Sequence, residues 1–429
     1  MSQHINLEAD QAVAGRVEGL KLDSMRELCH ALGDPQDDQP TIHVTGTNGK
    51  GSVTRLAAGL LAVHDLTVGT YTSPHLEAIN ERIARNGQAI PDDELAAVLA
   101  DLAGIEPLLS HLPSYFELLT AAAFRWFSSE AVASAVVEVG LLGRWDATNV
   151  LDGVVAVLTN VGYDHTDGQG DWRRRIAEEK SGIVKDGSVF VVGETDPALQ
   201  DVFDATPAAE RWRRDVDFGL AGDRLAVGGR MLDLRTPGAS YDDVFLSLHG
   251  AHQAENASIA LAAVEAFLGR PVTPDQVAEA FATARSPGRF EVVQRDPLLI
   301  LDGAHNPDGA DALAHTLAEG FAVTGELRLV VGVLAGRNPA ELLDLLDVAT
   351  AAEVVCCTPD SPRALPAAGL ADEVVRLGGR ARVVPDVAEA LDVALQGADS
   401  DDAVVVTGSL YTVGAARAAC RARGLLRRA

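Results

Sequence analysis

The chain predicts a two-domain α/β protein: a larger N-terminal domain on a doubly wound, mostly parallel sheet, then a smaller Rossmann-like α/β domain. Three observations predict it. Short apolar runs rich in Val, Ala and Leu alternate with longer segments of helical period, the pattern of parallel strands joined by helical crossovers. A glycine-rich turn, within TIHVTGTNGKGS at 41–52, follows the first such run and leads into a helix. Ser286-Pro287-Gly288 then interrupts the alternation before a second series begins. At 429 residues the chain is also too long for one ordinary core.

Taken in order, residues 11–33 place Leu20, Leu22, Met25, Leu28 and Leu32 at roughly helical spacing, and Gly33, Asp34 and Pro35 stop that helix. Residues 42–44 read as a short buried strand, 45–49 as a tight turn, and Lys50 opens a helix to about 63. Residues 66–71 form a strand ending in Thr72-Ser73-Pro74-His75, and 91–109 and 115–128 are helical. The run AVASAVVE at 131–138 is a second buried strand, followed by a loop at 139–149. Residues 153–159 are a third strand, ending in Asn160-Val161-Gly162-Tyr163-Asp164-His165; 176–184 are helical and 188–192 extended. The stretch 194–248 is irregular, rich in Asp and Arg, and reads as a small β excursion. Residues 250–268 favour a helix. Beyond Pro287, strands are expected at 298–301, 327–333, 353–357, 381–384 and 403–406, with helices between. The domains are therefore expected at 1–286 and 287–429.

Composition bounds the function. A net charge of −27 argues against nucleic acid, whose phosphate backbone needs a basic surface. No apolar run reaches membrane-spanning length, and no signal peptide is read at the polar, acidic start. Cys29, Cys356, Cys357 and Cys420 show neither metal nor disulfide spacing, so buried, reduced thiols in a cytoplasmic protein are expected. A monomer acting on small molecules is expected. Of 35 basic residues only Lys21, Lys50, Lys180 and Lys185 are lysines. Where Arg serves almost everywhere, a retained Lys marks a candidate site for a compact, deprotonatable amine.

The stretch at 41–52 has the chemistry of a phosphate cradle. A strand feeding a glycine-rich turn into a helix N-terminus aims unpaired backbone N–H groups and the helix dipole at an anion. Gly46, Thr47, Asn48, Gly49 and Gly51 would supply the backbone, Lys50 would reach the terminal phosphates, and Ser52 would lie in the first helical turn. This makes the first sheet P-loop-type, although Val44 and Gly51 depart from the common G-x-x-x-x-G-K-[ST] pattern.

Ser73, Glu138 and His165 fall at or just past the C-terminal ends of expected strands, where open α/β sheets bind their ligands. Glu138 ends an apolar strand and is either held by Arg144 or solvent, or is a Mg²⁺ ligand facing the phosphates. His165 is either a surface loop histidine or a metal or phosphate contact, and Ser73 either a turn residue before Pro74 or a hydroxyl donor. Lys180, in EEKSGI, is by composition alone a helix-end lysine beside acidic residues.

Ten segments in this order resemble the folylpolyglutamate synthase/dihydrofolate synthase family, the folate branch of the Mur-type amide ligases. They are VTGTNGKGS (44–52), YTSPHL (71–76), YFE (115–117), VEVGLLGRWDATN (137–149), DHT (164–166), EEKSGI (178–183), HQAEN (252–256), SPGRFE (286–291), DGAHNP (302–307) and TGSLYTVG (407–414). The resemblance implies an ATP- and Mg²⁺-dependent ligase that adds L-glutamate to dihydropteroate or a reduced folate through an acyl phosphate. It implies that residues 46–52, Asn256, Arg289, Asp302 and His305 serve the nucleotide. Ser73, Glu138, His165 and Lys180 would serve two magnesium sites, Lys180 as a CO₂-derived carbamate. The segment Pro287–Arg289 would link the domains, with ATP across the interface. Tyr115, Phe116, Glu117, Trp145, Asp146 and Ala147 would form the pterin side.

Three departures bear on substrate detail. The family usually reads GLGGR where this chain has Leu142, so either the loop is altered or residue 142 takes a negative φ. Trp145 replaces a common Leu, and the loop after DHT lacks its usual apolar residue. The alternatives are a related ligase with another carboxylate acceptor, such as a poly-amino-acid or cell-wall precursor, and a non-catalytic nucleotide-binding protein.

Overall fold

Every residue of β1 (Thr41–Thr45), which follows α1 (Asp23–Ala31), is buried, because parallel neighbours flank it and helices cover both faces. The computed structural model describes residues 4–6, 21–163, 169–336 and 338–426. The expected lead-in helix over 11–33 falls partly outside these residues; its described part is α1. Contacts divide the chain into two units, one mainly N-terminal and ending at Arg285, the other mainly 286–429.

In the first unit α2 (Lys50–Ala62) leads to β2 (Val68–Tyr71), then to a hairpin of β3 (Ile83–Arg85) and β4 (Gln88–Ala89). Two long helices, α3 (Asp92–Ile105) and α4 (Tyr115–Ser129), precede β5 (Ser134–Glu138). Then come β6 (Val155–Leu158), α5 (Trp172–Ser181), β7 (Val189–Val192), α6 (Gln200–Ala205) and β8 (Glu210–Arg213). The eight strands form one sheet in the order β4-β3-β2-β5-β1-β6-β7-β8, parallel except at the β3–β4 edge. The hairpin turn uses Asn86 at φ 49° and Gly87 at φ 76°, the dipeptide that best fits the twist of a two-residue turn. Register sets Val44 beside Glu138 and Thr45 beside Leu158. The C-terminal ends of four neighbouring strands therefore stand in one row.

The β excursion is a separate antiparallel sheet of β9 (Gly219–Ala226), β10 (Gly229–Arg235) and β11 (Ser240–Leu246). It exists to cover α7 (Ala251–Leu268), whose small and apolar residues are buried almost all round. Leu232, Leu234, Tyr241 and Leu246 from the small sheet join Ala257, Leu261 and Val264 of α7 and Leu56 and Leu60 of α2 in one core, with α8 (Pro274–Ala282) closing it.

The second unit carries a six-stranded sheet. Its elements are β12 (Glu291–Arg295), β13 (Leu298–Leu301), α9 (Pro307–Gly320), β14 (Leu327–Val331), α10 (Pro339–Leu345), β15 (Glu353–Cys356), α11 (Ala367–Arg376), β16 (Ala381–Val383), α12 (Val387–Gln396), β17 (Ala403–Thr407) and α13 (Leu410–Ala422). Strand order is β12-β13-β17-β14-β15-β16, with only β12 antiparallel. Residues 75–79 belong to this unit, although they follow β2. Leu76 packs on the core beneath α12 and α13, and Glu77 pairs with Arg417 and Arg421. The four cysteines are free and buried; burial pushes the Cys356 and Cys357 thiols up to about 12.

His43, at the centre of β1, is fully buried, and its Nε2 meets the Thr148 hydroxyl at 2.8 Å. Burial, with a smaller push from Lys185, lowers its imidazole to about 3, against about 6.5 in an unfolded chain. The unfolded chain thus binds a proton that the fold refuses, so this contribution is complete above about pH 6.5 and declines as pH falls toward 3, by up to about 1.4 kcal/mol per pH unit. Between pH 7 and pH 5 the wild type is expected to lose about 2 kcal/mol more stability than His43→Gln. Denaturant unfolding at both pH values checks this.

Candidate active site

The turn after β1 is shaped by two glycines. Gly46 has φ 152° and Gly49 φ 82°, backbone that residues with a Cβ rarely adopt. A Cβ on Gly46 would strike the Thr159 hydroxyl, and one on Gly49 the Asn256 side-chain oxygen. The helix behind them starts with no side-chain cap and no acidic residue in its first turn, leaving its leading amides for an anion.

Strand-end residues strap the turn down. The Asn160 carbonyl accepts from Thr47 N at 3.0 Å, its side-chain oxygen accepts from Asn48 N at 2.9 Å, and the Thr159 hydroxyl donates to the Asn48 carbonyl at 2.6 Å. Gly162 N donates to the Thr47 hydroxyl at 3.0 Å. From α7, Asn256 donates to Gln253 at 3.1 Å and Gln253 to the Ser52 hydroxyl at 3.3 Å. Thr159, Asn160 and Gln253 were missed as site residues. The available signal was a Thr-Asn pair ending an apolar strand, since buried polar side chains there need partners.

Two lysines converge on one carbonyl. Lys50 Nζ donates to the Gly46 oxygen at 3.0 Å and to the Thr47 oxygen at 3.1 Å; Lys180 Nζ donates to the same Gly46 oxygen at 2.6 Å. Lys180 is 4% exposed although it sits near the end of α5. Glu138, also 4% exposed, accepts from Ser73 N at 3.1 Å, and its carboxylate lies 3.4 Å from where a Cβ on Gly51 would stand. Lys50, Ser73, Glu138, Lys180 and Asn256 are thus gathered around the turn. Arg144 does not hold Glu138; its guanidinium pairs with Glu179 at 3.8 Å and donates to the Glu178 carbonyl at 3.2 Å. His165 lies outside the described residues. Among the described residues no three His, Cys, Asp or Glu side chains cluster as a metal cage. Among the described residues the oxygen donors at the turn are the Glu138 carboxylate and the Thr47 and Ser52 hydroxyls, a set of the kind Mg²⁺ takes.

The 140–149 loop is fixed by Asp146 rather than opened by it. Asp146 is buried, accepts from Leu141 N at 2.8 Å and Thr148 N at 3.0 Å, and also receives the Thr148 hydroxyl. Burial outweighs these bonds and holds its carboxyl above the usual range. Ala147 is buried behind it, while Trp145 is 41% exposed. The loop in turn grips α5: Arg144 N donates to the Glu179 carbonyl at 2.9 Å and Asn149 to the Gly182 carbonyl at 3.0 Å. At the start of α4, Glu117 closes a capping box with Ser114. Phe116 is half-buried against Gly140 and Tyr71, and Tyr115 lies under the Arg82 guanidinium at 5.7 Å.

In the second unit Arg289, Asp302 and His305 lie close together. The two Asp302 oxygens accept from Phe290 N at 2.7 Å and Ala304 N at 2.8 Å, while Arg289 donates to the Gly303 carbonyl at 3.4 Å. His305 Nδ1 lies 2.6 Å from that carbonyl.

Of the two alternatives at Leu142, the negative φ is overturned: its φ is +59°. Its carbonyl receives the Thr45 hydroxyl, and its side chain is buried with Val139, Leu158 and Ile176. Hydrophobic burial holds a conformation that costs a non-glycine residue about 1–2 kcal/mol.

Two family profiles match the chain, the Mur ligase middle domain over residues 110–264 and the Mur ligase, glutamate ligase domain, over 288–410. A dihydrofolate synthase/folylpolyglutamate synthase of Mycobacterium tuberculosis is 39% identical, across 91% of this chain and 88% of the relative. The solved structure of Mycobacterium tuberculosis folylpolyglutamate synthase complexed with ADP and AMPPCP matches with a TM-score of 0.89 at 38% identity, covering 95% of this chain and 96% of that one. The bifunctional folylpolyglutamate synthase/dihydrofolate synthase of Yersinia pestis, complexed with AMPPNP and a Mn ion, matches with a TM-score of 0.83 at 32% identity, covering 96% and 97%.

Leu142 yields a reversal of the usual glycine penalty. Leu142→Ala and Leu142→Gly both lose the buried side chain, each costing about 2–4 kcal/mol. Only the glycine releases the left-handed backbone, so Leu142→Gly is expected to be the more stable of the two, by about 1 kcal/mol. Thermal unfolding of the pair checks it.

Proposed function

This chain belongs to the dihydrofolate synthase/folylpolyglutamate synthase family of ATP-dependent glutamate ligases, and on that premise we propose how its residues divide the work. ATP and a divalent metal serve the reaction, and no described helix is long and apolar enough to cross a membrane. The observation that carries the residue assignment is the convergence of Lys50 and Lys180 on the Gly46 carbonyl beside Glu138.

The acceptor is the carboxylate of a pteroate or reduced folate. Its oxygen takes the γ-phosphoryl group of ATP, ADP departs, and the glutamate amine displaces phosphate from the acyl phosphate. Carboxylate oxygen leaves poorly and phosphate leaves well, so activation removes the obstacle to amide formation. The amides of Gly49, Lys50 and Gly51 bind the phosphates, those of Thr47 and Asn48 being committed to Asn160, and the Lys50 ammonium offsets charge that builds on the phosphates during transfer. Glu138, Ser73 and His165 are the residues that would hold magnesium. When bound, the metal ions neutralise and align phosphate oxygens. Lys180, carbamylated by CO₂, would add a carboxylate for a second ion, a role open to a lysine amine and closed to arginine. In the second unit Arg289, Asp302 and His305 serve the nucleotide. Tyr115, Phe116 and Trp145 supply aromatic surface for a flat heterocycle. Glu117, Asp146 and Ala147 act on that pocket by fixing the backbone. We take the protein as a cytoplasmic monomer.

The test is ADP release with Mg²⁺, bicarbonate and L-glutamate, comparing dihydropteroate, tetrahydrofolate and no acceptor. Stimulation by both pterins identifies a bifunctional enzyme, by one alone a single activity, and by neither another acceptor. Lys50→Ala and Lys180→Ala are each expected to lower the stimulated rate by a factor of about 10²–10³. In the wild type alone, removing bicarbonate is expected to lower it too.

A further inference from the structure

The turn at 46–49 depends on the peptide at 160–162, and that peptide is itself held from behind. Val161 N donates to Glu194 Oε2 at 2.7 Å, and the Val161 carbonyl accepts from Arg173 Nε at 3.0 Å. Arg173 Nη2 closes the ring on the same Glu194 oxygen at 3.3 Å. The other Glu194 oxygen accepts from Asp196 N at 2.9 Å, and Asp196 pairs with the remaining Arg173 nitrogen. Val161 is 2% exposed and Glu194 8%. Both backbone polar groups of one buried residue, Val161, are therefore fixed by a single ion pair.

Each partner also reaches a second part of the site. Glu194 follows β7 and Gly193, whose N–H donates to the Leu158 carbonyl at 2.7 Å, so it is tied to the end of β6. Arg173 lies in the first turn of α5, two turns before Lys180 on the same helix. Fixing Arg173 fixes the register in which α5 delivers the Lys180 amine to Gly46. The Tyr163 and Trp172 rings meet edge to face at 5.3 Å, bracing the same junction.

We propose that Glu194 and Arg173 are positioning residues for the ligase reaction, holding the phosphate turn through Asn160 and the Lys180 amine through α5. The proposal rests on the reading of residues 46–52 as the seat of the ATP phosphates. Neither side chain touches that seat, so their effect falls on nucleotide use and not on the acceptor or glutamate.

The experiment is steady-state kinetics of Glu194→Ala, Glu194→Gln and Arg173→Leu, corrected for the folded fraction, with Lys50→Ala alongside. Glu194→Ala is expected to raise KM for ATP about tenfold or more and leave KM for acceptor and glutamate within about twofold. Glu194→Gln keeps an acceptor for Val161 N and is expected to recover most of that loss. If Glu194→Ala does not fold, Arg173→Leu, whose side chain is partly exposed, carries the same expectation. An unchanged KM for ATP with lower thermal stability alone would overturn the proposal, and so would a uniform loss in all three substrates. If Lys50→Ala leaves ATP use intact, the phosphate-seat reading fails instead; if Lys50→Ala is inactive and the Glu194 and Arg173 variants are normal, only the positioning role fails.

Discussion

A turn that offers its amides to an anion has given up the hydrogen bonds that would hold it in place. That constraint organises the first unit. Gly46 and Gly49 take backbone that permits the offer, and in doing so leave gaps that Thr159 and Asn256 fill. Asn160 accepts two of the turn's own amides, at Thr47 and Asn48, which limits the directions in which the rest can point. The positions of β6 and α7, the burial of Glu138 and the path of α5 all follow from supporting a loop that cannot support itself.

The convergence of two lysines on the Gly46 carbonyl follows from the same constraint. Converting one of the two amines to a carbamate, as proposed for Lys180, demands a lysine there and turns like charges into opposite ones. The sparse use of lysine in the chain is consistent with that demand: both positions need a slender amine at the end of a flexible stem, where a guanidinium would not fit the carbonyl as a point donor.

Much of the fold was legible in the sequence because its strands are buried on both faces and read as unbroken apolar runs. The β3–β4 hairpin was overlooked despite its Asn86-Gly87 turn, because strands of two and three residues carry almost no periodic signal. The small sheet over α7 was only outlined, since its strands alternate around a bulge and face solvent on one side. At the site, Lys50, Ser73, Glu138 and Lys180 were legible from strand ends and from a family likeness. Asn160 and Glu194 were not, because a residue that acts by holding another peptide has no motif of its own. Leu142 shows the opposite failure: the local rule against φ > 0 was sound, and tertiary burial overrode it.

Residues 75–79 belong to the second unit while their flanks belong to the first. The chain therefore passes between the units more than once. A fragment beginning at Ser286 would retain its own sheet and yet lack Leu76 from its core and the carboxylate of Glu77 between Arg417 and Arg421. Recombining the halves of two such enzymes at the Pro287 junction would leave each daughter with a borrowed strip from the wrong parent. Among the described residues, inheritance of these units as interchangeable modules is restricted by 75–79, which lie far from the seam in sequence.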